Sequence, residues 1–395
     1  MKAYFDNELS VNLGHIAQIK SVRSQEELFR KIFPLTSVVS TDYTEPGLWP
    51  VEVSTHTHLW ANQQESIPDS INIFDHIPSH VITGVRERKL RIFIIAIIEG
   101  TSFVNEVADS FLSLTESIRA HNLPRYSVII VSGDLNAKKH YIDWCNDKEE
   151  IPWIEFVDNA VEWDGSQWEL PSAPVFNKDA AYLFNSLNRA HRPHRTDHLY
   201  MLVYHNLLSM GLVSGGAYFP QERYTLFPTY INCHYVSYRR MLFENYPKQL
   251  DVNNVQTSSL GNAINLDNFS NSLLTISTES HFKDPGLFIT EKSLRPLAVG
   301  HPVMILGQPG VMSKLQEWGF LVNFLNIEYD EILDPVDRFN KFHRILIDWI
   351  YSDKKQYFDK WLEMTIYNQK IYQNLNFKQE YISSAIASTE QYFKS

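Results

Sequence analysis

Cysteine is almost missing from this chain of 395 residues. Only Cys145 and Cys233 occur, which rules out a disulfide framework and suits a reducing, intracellular setting. Nor is there an apolar run of the ~18 residues that a membrane-spanning helix needs; the longest, Ile92-Phe93-Ile94-Ile95-Ala96-Ile97-Ile98, is strand-sized. The start, Met1-Lys2-Ala3-Tyr4-Phe5-Asp6-Asn7-Glu8, lacks the basic and then apolar pattern of a secretory signal. A cytoplasmic protein is therefore expected. Positive charge is in deficit, with a formal net charge of −11. That argues against a chain covered in phosphate contacts, although a local basic patch is still compatible with it. The sequence also has no Walker, Gly-x-Ser-x-Gly or Gly-x-Gly-x-x-Gly motif, no cysteine pair at zinc spacing and no Asp-x-Asp.

What is present is ample core material. Hydrophobic residues make up 44% and aromatic residues 13% of the chain, enough for two domains rather than one. Residues 1–88 read as irregular, with short strand-like pieces at Ser37-Val38-Val39-Ser40 and Val51-Glu52-Val53-Ser54. From Lys89 an α/β alternation is clear. Residues 91–98 form a β-branched run typical of a strand buried on both faces, a helix with an apolar stripe follows to Ile118, and strands follow over 127–132 and 153–157. Strand, helix, strand at this spacing predicts a parallel sheet.

Gly165, Ser166, Pro171 and Pro174 mark a crossing, after which a second α/β series begins. It predicts strands at 181–187, 273–277, 302–306 and 320–324. Its helices are expected at 196–210 with Thr196 as N-cap, 290–299, 311–318 and from 335 onward. The expected organisation is residues 1–165 as an acceptor-side α/β domain, 166–350 as a nucleotide-binding α/β domain, and 351–395 as C-terminal helices packing back on the body.

The segment Phe288-Ile289-Thr290-Glu291-Lys292-Ser293-Leu294-Arg295-Pro296 carries the strongest chemical signal. Thr290 caps a helix whose free N–H groups and positive dipole end suit a pyrophosphate. Lys292 in that first turn is mildly unfavourable unless an anion binds there. Glu291 can accept two hydroxyl hydrogen bonds, as from a ribose. Pro296, inside the helix, frees the carbonyl of Lys292. The same pattern also fits an ordinary capped helix with a solvated Glu–Lys pair. A second basic element, Asn188-Arg189-Ala190-His191-Arg192-Pro193-His194-Arg195, places guanidinium forks at a helix start. Its two histidines read as solvated loop residues.

These residues resemble two related families. Thr290-Glu291-Lys292, followed by a small-residue helix and the strand from Pro302, is similar to the C-terminal motif of α-1,3-fucosyltransferases. The longer pattern Phe288, Thr290, Glu291, Lys292, Pro296, Ala298, Gly300, His301, Pro302, Gly307, Pro309, Gly310, Leu315, Gly319 and Phe320 resembles a largely phage-borne family of glycosyltransferase-like proteins. The acidic stretch 328–339 and the element from Leu187 to Arg195 fit it too. The resemblance implies two Rossmann-like domains of the GT-B kind with a C-terminal helical extension. It also implies a nucleoside diphosphate sugar as co-substrate, with no cofactor and no metal.

The donor-binding residues implied are Asn188, Arg189, Arg192, Arg195, Thr290, Glu291 and Lys292. Glu279 joins them, since Thr275-Ile276-Ser277-Thr278-Glu279-Ser280 looks like the strand end near the sugar nucleotide. Catalysis of transfer to a hydroxyl needs a base. Glu99, ending the first buried strand where α/β sheets place ligands, is the expected catalytic residue, with Asp134 second. The acceptor is expected to be a glycan or another hydroxyl compound, with hydroxylated bases of phage DNA as an alternative; in a phage-encoded chain the setting is the host cytoplasm. Donor binding without turnover also fits the pattern. His56-Thr57-His58 is the one close histidine pair before the basic element, and it lacks an obvious third metal ligand.

Overall fold

The computed structural model describes residues 2–4, 10–12, 17–21, 38–39, 46–55, 73–96, 110–158, 170–188, 192–215, 264–283, 285–374 and 387–394. The chain divides into two compact units. Unit 1 takes Met1–Glu162, Asp284–Leu287 and Asn376–Ser395, and unit 2 takes Trp163–Lys283 and Phe288–Leu375. Each holds a largely or wholly parallel sheet, so the two-domain α/β class expected from the sequence is what the chain adopts. Among the described residues no helix is long and apolar enough to cross a membrane.

Unit 1 contains strands β1 (Lys2–Tyr4), β2 (Ser10–Asn12), β3 (Ala17–Ser21), β4 (Val38–Val39) and β5 (Gly47–Thr55). Helix α1 (Ser79–Arg86), β6 (Leu90–Ala96), α2 (Ser110–Ala120), β7 (Val128–Ser132), α3 (Ala137–Asp147) and β8 (Ile154–Asp158) follow. The sheet runs β2-β3-β5-β6-β7-β8, with β1 also beside β5 and β4 beside β1. The described parts of 1–88 are thus not irregular: they supply five strands, one of them central. The strand-like piece Val51–Ser54 is the second half of β5, and Pro50 hid the half before it. Pro50 sits where the partner along one edge of β5 changes, between the pairing of Leu48 with β1 and that of Val51 with β3. A missing N–H costs least in such a gap. Trp49, Val51, Ile92, Ile94, Val128, Ile130, Ile154 and Phe156 alternate inward to form the core with α1 to α3.

Unit 2 contains β9 (Tyr182–Leu187), α4 (Pro193–Tyr204), β10 (Gly211–Ser214), α5 (Leu266–Ser270), β11 (Ser272–Thr278) and α6 (Glu291–Ala298). It continues with β12 (Val303–Leu306), α7 (Val311–Glu317), α8 (Pro335–Tyr351) and α9 (Lys355–Asn374). Its four strands are parallel, in the order β10-β9-β11-β12. Helix α4 starts three residues earlier than expected: Arg192 is the N-cap and Pro193 takes the first helical position, where its fixed φ is favourable. Thr196, expected as the cap, lies inside the first turn, its hydroxyl 3.3 Å from the Arg192 carbonyl. The helix ends at Tyr204, and β10, too short to show a pattern, was not foreseen.

Residues 320–324 were expected as a strand and are not one. Phe320, Val322 and Phe324 alternate inward as a strand would. However, the ladder bonds at Leu321 are made by one side chain: Asn368 of α9 accepts from its N–H and donates to its carbonyl, both at 2.8 Å. Trp361 of the same helix donates to the Phe324 carbonyl at 2.8 Å. Residues 387–394 are helical in unit 1, where buried Arg91 reaches Thr389 at 2.9 Å.

The kink residue Pro296 has a specific compensation. The Lys292 carbonyl, which it deprives of a helical donor, accepts from the Ser277 hydroxyl of β11 at 2.6 Å. Ser277→Ala should destabilise the chain by about 1–2 kcal/mol in urea unfolding. That loss should nearly vanish in a Pro296→Ala background, where the helix regains its own donor. Equal losses in both backgrounds would disprove this pairing.

Candidate functional site

Strands β9 and β11 are neighbours, but their chain connections depart in opposite directions, β9 toward β10 and β11 toward β12. This is a topological switch point, and open parallel sheets bind ligands in the crevice at the carboxyl ends of such strands. Right-handed crossovers put α4 and α6 on opposite faces. Alternation along β9 agrees, since Ser186 meets α4 through His198 while Asn185 turns to Ser272 and Thr275.

The predicted donor-side residues that are described gather around these two strand ends. Asn188 follows β9 and is buried; its Oδ1 accepts from the Thr278 hydroxyl at the end of β11, and its N–H donates to Ser214 at 3.0 Å. Arg195 is buried and its Nη2 donates to the carbonyls of Thr278 and Glu279, at 3.1 and 3.0 Å. His194, read from sequence as a solvated loop residue, is instead a buried helix residue whose Nε2 lies 2.7 Å from the Glu279 carbonyl. Burial, reinforced by Arg195, pushes it down to about 3. It is therefore neutral and donates to that carbonyl. Arg192 is half-buried at the start of α4.

Glu279 does a different job from the one its sequence position suggested. Its carboxylate accepts from the Thr290 N–H (3.0 Å), the Thr290 hydroxyl (2.7 Å), the Ser280 N–H (3.3 Å) and the Ser293 hydroxyl. About four lone-pair sites exist on a carboxylate, so little acceptor capacity is left for a sugar hydroxyl. Glu279 fastens the start of α6 to the end of β11.

Thr290 caps α6, its side chain accepting from the Lys292 N–H. The Lys292 ammonium turns back over its own helix start and donates to Ser280 Oγ at 3.2 Å and Thr290 Oγ1 at 3.3 Å. It also faces Glu291 Oε1 at 3.3 Å. Glu291 is 8% exposed, and its other oxygen, Oε2, has no hydrogen-bond partner among the described residues. An unsatisfied buried carboxylate oxygen is costly, and it marks a place where a hydroxyl would be welcome. Arg195 and Lys292 thus meet the chain within three consecutive residues, 278–280.

Glu99 and Arg189 lie outside the described residues, as do His191 and the pair His56 and His58. Asp134 is wholly buried after β7, and its Oδ1 accepts from the N–H groups of Asn136 (2.9 Å) and Leu287 (2.8 Å). It serves the main chain there and is poorly placed to take a proton.

Sequence reasoning missed two groups. Arg338 is 1% exposed and binds four carbonyls: Gly307 at 3.2 Å, Leu333 at 3.1 Å, Ile332 and Phe282. It stacks over the Phe282 ring, 4.4 Å from its centroid, and burial lowers it to about 10. The acidic stretch around it is structural as well, since Asp330 accepts from the N–H groups of Met312 and Ser313 to cap α7. The second missed group is the buried pair His198 and His343. Neither group has a local signal, because the partners come from distant segments.

No family model matches the chain, and no curated protein matches it in sequence. Several solved structures show a loose likeness. An α,α-trehalose-phosphate synthase (UDP-forming) from Burkholderia vietnamiensis has 11% identity and a TM-score of 0.42, covering 94% of this chain and 75% of that one. A trehalose-6-phosphate structure from E. coli bound with UDP-2-fluoro glucose has 10% identity and a TM-score of 0.42, covering 99% of both. The catalytic domain of starch synthase IV from Arabidopsis thaliana, bound to ADP and acarbose, has 10% identity and a TM-score of 0.39, covering 89% and 73%. Likeness of this degree assigns neither activity nor substrate.

Proposed function

We propose that the chain is a glycosyltransferase that moves a sugar from a nucleoside diphosphate sugar to a hydroxyl acceptor. The observation that carries this reading is the start of α6. There, at the switch point, a helix N-terminus, the Lys292 ammonium and a buried Glu291 with an unpartnered oxygen come together. The amides of Thr290, Lys292 and Ser293 are taken by Glu279, Thr290 Oγ1 and the Thr290 carbonyl, so the Lys292 ammonium, the Glu291 N–H and the positive end of the helix are what suit a diphosphate. The Glu291 oxygen suits a ribose hydroxyl one step away. In transfer, the bond from the acceptor oxygen to the sugar C1 forms as the bond from C1 to the phosphate oxygen breaks. The electron pair leaves with the nucleoside diphosphate, and Lys292 and the helix start stabilise its growing charge without a metal ion. The acceptor proton passes to a carboxylate, for which Glu99 is our choice. Arg195 and Glu279 hold the strand end and helix start in place for this, and Asn188 and Arg192 belong to the β9 side.

Thermal melts against UDP, GDP, ADP and their sugar conjugates test the reading. One nucleoside diphosphate should stabilise the protein by about 2.7 kcal/mol at a hundredfold excess over Kd, and so raise its melting temperature. No shift with any of them would overturn it.

A further inference from the structure

A directed line of hydrogen bonds runs from α8 to the site. His343 Nδ1 lies 2.9 Å from the Phe339 carbonyl. A carbonyl only accepts, so Nδ1 carries the proton and Nε2 has a lone pair. That Nε2 lies 2.9 Å from His198 Nδ1, which must donate. His198 Nε2 is then an acceptor, and the Ser186 hydroxyl, 3.1 Å away, must donate to it. Ser186 Oγ, its hydrogen spent, accepts from Asn188 Nδ2 at 3.2 Å. The Asn188 amide is thereby oriented: nitrogen toward Ser186, oxygen toward the Thr278 hydroxyl. Thr278 spends its hydrogen on Asn188, so it can offer only lone pairs to anything bound beside it. Every member is buried, His198 and Ser186 completely.

We propose that His343 and His198 are positioning residues that fix the polarity of the Asn188–Thr278 clasp between β9 and β11. The end of the relay then faces a ligand as a hydrogen-bond acceptor, which selects a hydroxyl-bearing ligand at that strand end. The selection, though not the relay, rests on the sugar-nucleotide reading. Neutral rings are required throughout. A proton on either ring would turn an acceptor nitrogen into a donor and reverse the bonds on its Asn188 side. The titratable groups facing the pair are His194 and His205.

Two measurements on the full chain test this. Long-range proton–nitrogen spectra of 15N-histidine-labelled protein at pH 7.5 should show the Nδ1–H tautomer on both His198 and His343, each assigned through its Gln variant. An Nε2–H tautomer or a protonated ring on either overturns the proposal. Calorimetric titration with UDP and GDP should show His343→Phe about tenfold weaker than wild type, the equivalent of one ~1.4 kcal/mol hydrogen bond. His343→Gln can still donate to Phe339 and accept from His198, and should stay within about twofold, well under one such bond. Ser186→Ala, which breaks the line at its other end, should match His343→Phe and serves in its place if that variant does not fold. Equal affinities for the Phe and Gln variants overturn the proposal. If neither these nucleotides nor ADP binds wild type, the sugar-nucleotide reading fails and the tautomers alone decide the relay.

Discussion

Lys292→Ala should weaken nucleoside diphosphate binding about 30- to 150-fold, the 2–3 kcal/mol typical of a charged hydrogen bond to phosphate. Its melting temperature should stay close to wild type. In the free protein the ammonium lies against two hydroxyls and Glu291, and its side chain is 26% exposed. A partly exposed pair of this kind contributes about 1 kcal/mol or less. Loss of binding with little loss of stability identifies a ligand contact. Lys292→Arg keeps the charge and should recover most of the affinity. Glu291→Gln should separate the two halves of the proposed ligand, weakening nucleotides while leaving pyrophosphate binding as tight or tighter, since the carboxylate beside Lys292 is neutralised. Calorimetry on the three variants decides this. Unchanged nucleotide affinity in Lys292→Ala means that the diphosphate does not sit at α6.

Acid should destabilise the protein steeply, beginning near pH 6.5. Burial pushes His194 down to about 3 and His301 and His343 to about 4, and it lowers His198 well below the usual range. The unfolded chain takes up protons on these histidines at about pH 6.5, whereas the folded chain does not. Stability is therefore complete above that pH and falls as the pH drops toward 4. Each histidine contributes about 1.4 kcal/mol per pH unit in that window, so the four together approach ~5.5 kcal/mol per unit. Asp330 acts the other way at the acid end, because burial raises its carboxyl. Urea unfolding from pH 8 to pH 4.5 should show the fall, and His343→Gln should remove about one proton from its slope. A flat profile would show that these histidines are charged or solvated.

Much of the fold, and the start of α6 at the candidate site, was legible because those signals are local. A β-branched run marks β7, the Thr290 cap and Gly300 delimit α6, and Asp334-Pro335 opens α8. Gly300 adopts φ +67°, and a Cβ there would meet Pro174 at 2.7 Å. The misreadings have physical causes. Pro193 outranked Thr196 as the signal for the start of α4. At 320–324, a side-chain amide of α9 supplied what a neighbouring strand would have. Glu279 sits at the position expected of a ligand contact, but the donors that fill it come from residues 290 and 293, close only after folding. His198 and His343 are 145 residues apart and carry no motif.

A crystal structure of the full chain grown with UDP or GDP tests the diphosphate site most directly. Density for the β-phosphate should lie about 3 Å from Lys292 Nζ and the Glu291 N–H, with a ribose hydroxyl at a similar distance from Glu291 Oε2. A nucleotide bound elsewhere, with Lys292 still turned onto Ser280 and Thr290, would contradict it.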